Sequence, residues 1–144
     1  MNAPSPNVTF TGAVGTAPYT FTYNINGGPN QVVTTTVGNS VTVAAPTGVA
    51  GTFVYNLVSV ADASPAICSQ AQTGSVTIVV NPLPTASVAG TTAVCINSPS
   101  PNVTFTGAVG TAPYTFTYNI NGGPHQFFTT SLGSFVNIDA PTLF

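Results

Sequence analysis

Residues 4–29, PSPNVTFTGAVGTAPYTFTYNINGGP, return unchanged at 99–124, an offset of 95 residues. Beyond the identical stretch the likeness fades without stopping. Asn30-Gln31-Val32-Val33-Thr34-Thr35 becomes His125-Gln126-Phe127-Phe128-Thr129-Thr130, and Ala45-Pro46-Thr47 is matched by Ala140-Pro141-Thr142. A fixed period signals a tandem array. A period of 95 is too long for a solenoid repeat and suits a small β-sandwich of roughly 100 residues. The chain therefore reads as about one and a half copies of one module.

The local pattern of the repeated stretch is that of strands. Thr, Val, Tyr and Phe alternate and are punctuated by Gly, Pro and Asn. Alternation assigns faces: Tyr19, Phe21, Tyr23 and Ile25 point one way, and Thr20, Thr22, Asn24 and Asn26 the other. Val8 and Phe10 share a face of the preceding strand. Asn26-Gly27-Gly28 is a hairpin signal, because these residues accept positive φ at low cost. Working outward, the first copy predicts strands at 7–11, 18–26, 31–37, 40–45, 52–61 and 74–80. Strand 52–61 places Phe53, Tyr55 and Leu57 on the core side and Val54, Asn56, Val58 and Val60 opposite. Val54, Val58 and Val60 thus form a candidate association face, covered by a loop or by a neighbouring module. No sustained helical period occurs.

Asn81-Pro82-Leu83-Pro84 reads as a joint, since two prolines remove donors and stiffen the backbone. This divides the chain into a first module at 1–81, a linker at 82–84 and a second module at 85–144. Residues 85–88 and 92–94 read as the opening strand pair of the second module. Strands at 102–106, 113–121, 126–132 and 135–139 then repeat the first copy. In this frame the first module lacks its opening strand and the second its last two. A sandwich short of a strand exposes unpaired backbone. The chain is then a piece of a longer array, or copies complete one another by donating strands.

Composition narrows function. The chain has no Lys or Arg, two acids (Asp62 and Asp139) and one histidine (His125), so charged residues make up 1% against 43% hydrophobic. Ordinary domains are about 25% charged. Nucleic-acid binding needs cations to displace counterions from phosphate, and anionic membrane surfaces need them too; both classes are excluded. No apolar run reaches the roughly 20 residues of a membrane helix. The first residues show neither a basic nor an apolar leader region, so a secreted protein would carry this sequence as an internal or processed segment. Near-zero charge removes the repulsion that keeps proteins apart, which favours self-association.

The chemistry-bearing residues are few. His125 replaces Asn30 in a turn, and Asp139 replaces Ala44. Neither has the setting of a catalytic triad. Asp62 fits a turn cap acting through its own backbone. One His and two Cys offer no zinc spacing, and one carboxylate per module cannot build a calcium site. No enzyme, cofactor or metal role is expected. Cys68 and Cys95 are either free or disulfide-bonded, with each other across the linker or between chains; sequence alone leaves the connectivity open. Asn7-Val8-Thr9 and Asn102-Val103-Thr104 match the glycosylation sequon, a match read as incidental. The Thr-rich faces, with Thr20, Thr22 and Asn24, raise an alternative function as a glycan- or partner-binding module.

A family likeness attaches to three stretches. Gly15-Thr16-Ala17-Pro18-Tyr19-Thr20-Phe21 resembles the opening of repeats in giant gliding-motility adhesins. Ala50-Gly51-Thr52-Phe53-Val54-Tyr55-Asn56-Leu57-Val58-Ser59-Val60-Ala61-Asp62 resembles the late strand of PKD-like and Ig-like modules. Val80-Asn81-Pro82-Leu83-Pro84 is similar to their joints. The chain departs from the pattern in having Tyr23 where an early-strand Trp is usual, and in lacking basic residues. The resemblance implies tandem Ig-like antiparallel sandwiches, placed extracellularly on the surface of gliding, type IX-secreting bacteria. There such repeats act as stalks and adhesins. The near-absence of charge adds the expectation of a filament with other copies as partners, and the Thr-rich faces that of surface glycans as partners. The resemblance carries over no catalytic residue.

Overall fold

The computed structural model describes residues 4–141. These form an all-β structure of twelve strands with no helix. Two compact units divide the chain, Met1–Asn81 and Pro82–Phe144.

The first unit holds β1 (Asn7–Thr11), β2 (Thr20–Ile25), β3 (Gln31–Thr34), β4 (Ser40–Ala44), β5 (Gly51–Ala61), β6 (Ser69–Ala71) and β7 (Ser75–Val80). β1 and β4 make a two-stranded antiparallel sheet, with Asn7 opposite Ala44 and Thr11 opposite Ser40. The second sheet runs β3-β2-β5, and β6 and β7 share the far edge of β5. Alternation dictates what these sheets bury. Val8 and Phe10 of β1 meet Phe21 and Tyr23 of β2 and Tyr55 of β5, with Tyr19 and Ala45 completing the cluster. Phe10 lies 5.0 Å from the Tyr23 ring and 5.7 Å from Phe21, and Tyr23 lies 6.1 Å from Tyr55. Rings at such offsets add to the stabilisation from burial.

The second unit holds β8 (Thr85–Ala89), β9 (Asn102–Ala108), β10 (Thr115–Tyr118), β11 (Gln126–Thr129) and β12 (Phe135–Asp139). Its sheets are β12-β9-β8 and β10-β11. Shifted by 95 residues, β9 with β12 reproduces the register of β1 with β4, and β10 with β11 that of β2 with β3.

The turns repeat as well. Ala17-Pro18 and Ala112-Pro113 are both cis. The Tyr19 hydroxyl donates to Gly15 O at 2.5 Å, and Tyr114 to Gly110 O at 2.7 Å. The Tyr19 amide donates to Thr35 Oγ1 and the Tyr114 amide to Thr130 Oγ1, each at 2.9 Å. These bonds satisfy the two buried threonines, as burial of a polar group requires. The Asn26 and Asn121 turns adopt φ of 53° and 52°.

Beyond strand bounds, which shorten 31–37 to Gln31–Thr34, 113–121 to Thr115–Tyr118 and 126–132 to Gln126–Thr129, the structure differs from the sequence reading in three places. Residues 92–94 form no strand; β9 is already flanked by β8 and β12, so no sheet edge is offered to them. Residues 69–71, which fall between the expected strands 52–61 and 74–80, form β6 because the long β5 presents backbone to pair. A bulge in β5 changes its faces. Thr22 pairs with Ser59 but Tyr23 with Leu57, which leaves Val58 as the extra residue. An extra residue reverses the alternation beyond it. Val60 therefore lies opposite Phe21 and packs against the core.

Candidate association surfaces

The bulge splits the proposed Val54, Val58 and Val60 face. Val54 lies on the outer side of β5, its amide donating to Asn26 Oδ1 at 2.7 Å. Val58 sits at the bulge, its carbonyl accepting from the Gln72 amide at 2.9 Å. Val60 turns inward. All three are half-buried, so no continuous valine stripe is presented.

The polar face of β2 is internally bonded. Thr20 and Thr34 hydroxyls lie 3.0 Å apart, and in the second unit Thr115 and Thr129 lie 2.9 Å apart. Such cross-strand pairs stabilise a sheet. Asn24 Oδ1 accepts from the Gly27 amide and from Asn56 Nδ2, each at 3.0 Å. Asn26 clasps the start of β5: its Nδ2 donates to Thr52 O at 3.0 Å while Oδ1 accepts from the Val54 amide. This asparagine clasp was not foreseen; Asn-Gly-Gly signalled the turn, but the strand it would hold lies 26 residues away.

Asp62 does more than cap its own turn. Oδ1 accepts from Ser64 Oγ at 2.7 Å and from the Cys68 amide at 3.0 Å, and Oδ2 accepts from the Thr16 amide at 3.1 Å. The Ser64 hydroxyl, followed by the Thr16 amide, holds the carboxyl below its ordinary value. Hydrogen bonding to the charged form has this sign. The carboxylate thereby ties the loop after β5 to the loop before β2.

Cys68 and Cys95 are both free and exposed, in the first and second unit respectively. His125 is exposed just before β11, and Asp139 closes β12 opposite Asn102. Neither has a side-chain hydrogen bond to a described residue. No three or more His, Cys, Asp or Glu residues gather among the described residues.

Several strand edges stand open. β8 pairs along β9, whereas β1, the counterpart of β9, has only β4 beside it among the described residues. Among the described residues β10 has only β11 beside it, whereas its counterpart β2 lies between β3 and β5. Exposed valines mark loop tips: Val14 is fully exposed at φ 73°, and Val109 repeats the conformation at φ 70°. Comparison with protein-family models, curated proteins and solved structures returns no match.

Proposed function

We propose that the chain is a non-enzymatic structural segment of a tandem array of Ig-like β-sandwich modules. In this reading the modules extend an extracellular surface protein as an adhesin stalk, or join into a filament. One observation carries it. The same backbone is built twice at an offset of 95 residues, down to the register of two strand pairs and the bonds of Tyr19 and Tyr114. Each copy leaves open the strand edge that the other has covered. Unpaired edges are templates for joining chains, and a chain with no Lys or Arg and only two acids offers little charge repulsion to oppose joining.

The alternative of glycan recognition has less support. Thr20, Asn24, Thr34 and Asn56 spend hydrogen-bonding capacity on one another. Negative-stain microscopy and sedimentation across a concentration series test the main reading. Regular polymers or a concentration-dependent mass are expected; a monodisperse monomer at high concentration overturns the self-associating form of the proposal.

A further inference from the structure

The second unit contains a groove of about 990 Å³, lined by Val103, Phe105, Tyr118, Ile120, Asn121 and Phe128 among others. The first unit identifies what belongs there. The counterparts of Tyr118, Ile120 and Asn121 are Tyr23, Ile25 and Asn26, and all three are engaged by β5. Tyr55 stacks on Tyr23 and lies opposite Ile25, and Asn26 clasps the backbone of Thr52 and Val54. Because 99–124 is identical to 4–29, the second unit presents the same seat.

Exposure differs accordingly between the two units. Val8, Phe10, Tyr19 and Tyr23 are buried, whereas Val103, Phe105, Tyr114 and Tyr118 are half-buried. Ile120 is 39% exposed. Phe128, in place of Val33, lays its ring 5.7 Å from Tyr118 and covers part of the seat. The Asn121 side chain has no hydrogen bond to a described residue, although its backbone matches that of Asn26.

We propose that this groove and the open edge of β10 bind an extended strand of β5 chemistry, of the kind that residues 51–61 supply to the first unit. The strand would pair antiparallel along β10, with an aromatic residue opposite Ile120 and its backbone clasped by Asn121. Backbone pairing would supply affinity and the aromatic pocket selectivity, as in other strand-addition complexes. The chain's own β5 is a poor donor. It already occupies a seat built from the same residues, so moving it exchanges one set of contacts for the same set. The inference builds on the reading of these units as modules that join to others of their kind, but it does not require polymers.

The test adds a synthetic peptide of residues 51–80 to the full-length, isotopically labelled chain. Resonance shifts at Tyr118, Ile120 and Asn121 report seating in the second unit, and titration gives the affinity. Asn121→Gly keeps the positive φ and removes the clasp; about tenfold weaker binding is expected from two lost hydrogen bonds. Ile120→Ser is expected to weaken binding by a similar factor while leaving the free chain folded, since Ile120 is already exposed. A peptide of the same composition with its alternation scrambled should not bind. The inference is overturned if second-unit resonances stay unmoved at millimolar peptide, or if neither variant weakens binding. Equal binding by the scrambled peptide also overturns it. Binding by a chain that stays monomeric upholds the groove and defeats only self-association. Polymers that form without peptide binding do the reverse.

Discussion

Phe21 and Phe116 occupy the same place in identical stretches of sequence, yet their surroundings differ. Phe21 is 1% exposed within a seven-residue core cluster that includes Tyr55. Phe116 is also buried, but its neighbours Phe105, Tyr114 and Tyr118 are not. The two units share backbone registers and turn hydrogen bonds, so the difference comes from β5 and not from the repeated residues. Local sequence builds the hairpin pair in both units; the strand that closes the core is a separate contribution. Strand pairing and core closure are thus separable in this protein.

The largest expected break of that comparison is at the tyrosine under Tyr55. Tyr23→Ala removes a buried ring with aromatic neighbours on both sides and should cost the first unit about 3–5 kcal/mol. Tyr118→Ala, at the half-buried counterpart, should cost about 1–2 kcal/mol, because less area leaves water. Chemical denaturation followed by resolved resonances of each unit measures both. Equal losses would mean that β5 does not close the first core.

The glycines before the tyrosines sharpen the likeness. A Cβ at Gly12 would meet Tyr19 Cγ at 2.5 Å, and one at Gly107 would meet the Tyr114 ring at 2.5–2.8 Å. Each ring is fixed by its hydroxyl bond to a backbone carbonyl. Gly12→Ala and Gly107→Ala should therefore each destabilise their unit by about 1–3 kcal/mol, the cost of overpacking. The same denaturation experiment should show two similar shifts.

Asn26→Gly should then destabilise the first unit by about 1–2 kcal/mol, through two lost hydrogen bonds to β5. Asn121→Gly should leave the second within about 0.5 kcal/mol of its parent, as substitutions away from such features usually do. A loss at Asn121 as large as that at Asn26 would show that its amide has a partner within the chain.

The smallest effect concerns acid. The Asp62 carboxyl lies below its ordinary value in the folded chain, so its contribution is present above the unfolded value of about 3.9. That contribution is lost as pH falls through the lower folded value. The first unit should lose stability below about pH 4 by this route, and Asp62→Asn should flatten that dependence. An unchanged pH profile in the variant would remove Asp62 from the account.

Much of the fold was legible because strand alternation is local. Val8, Phe10, Tyr19, Phe21, Tyr23 and Tyr55 were placed on core faces by period alone, and the structure buries all six. The valine face of β5 was not legible, because the extra residue at Val58 exists only in relation to the partner strand β2. Asp62 is legible as a local turn cap, and its bonds to Ser64 and Cys68 stay within six residues. Its bond to Thr16 crosses 46 residues, which no local pattern records.

What the amino acids determined alone was the building material: strands with defined faces, turns at Asn26 and Asn121, a surface almost without charge, and two copies of one stretch. These follow from side-chain period, turn chemistry and composition, all of which act within a few residues. Tertiary structure decided how well each copy is closed, which valines face the core, and which polar groups find partners. Those outcomes depend on a strand arriving from a distant part of the chain, and identical residues are half-buried where no such strand lies among the described residues.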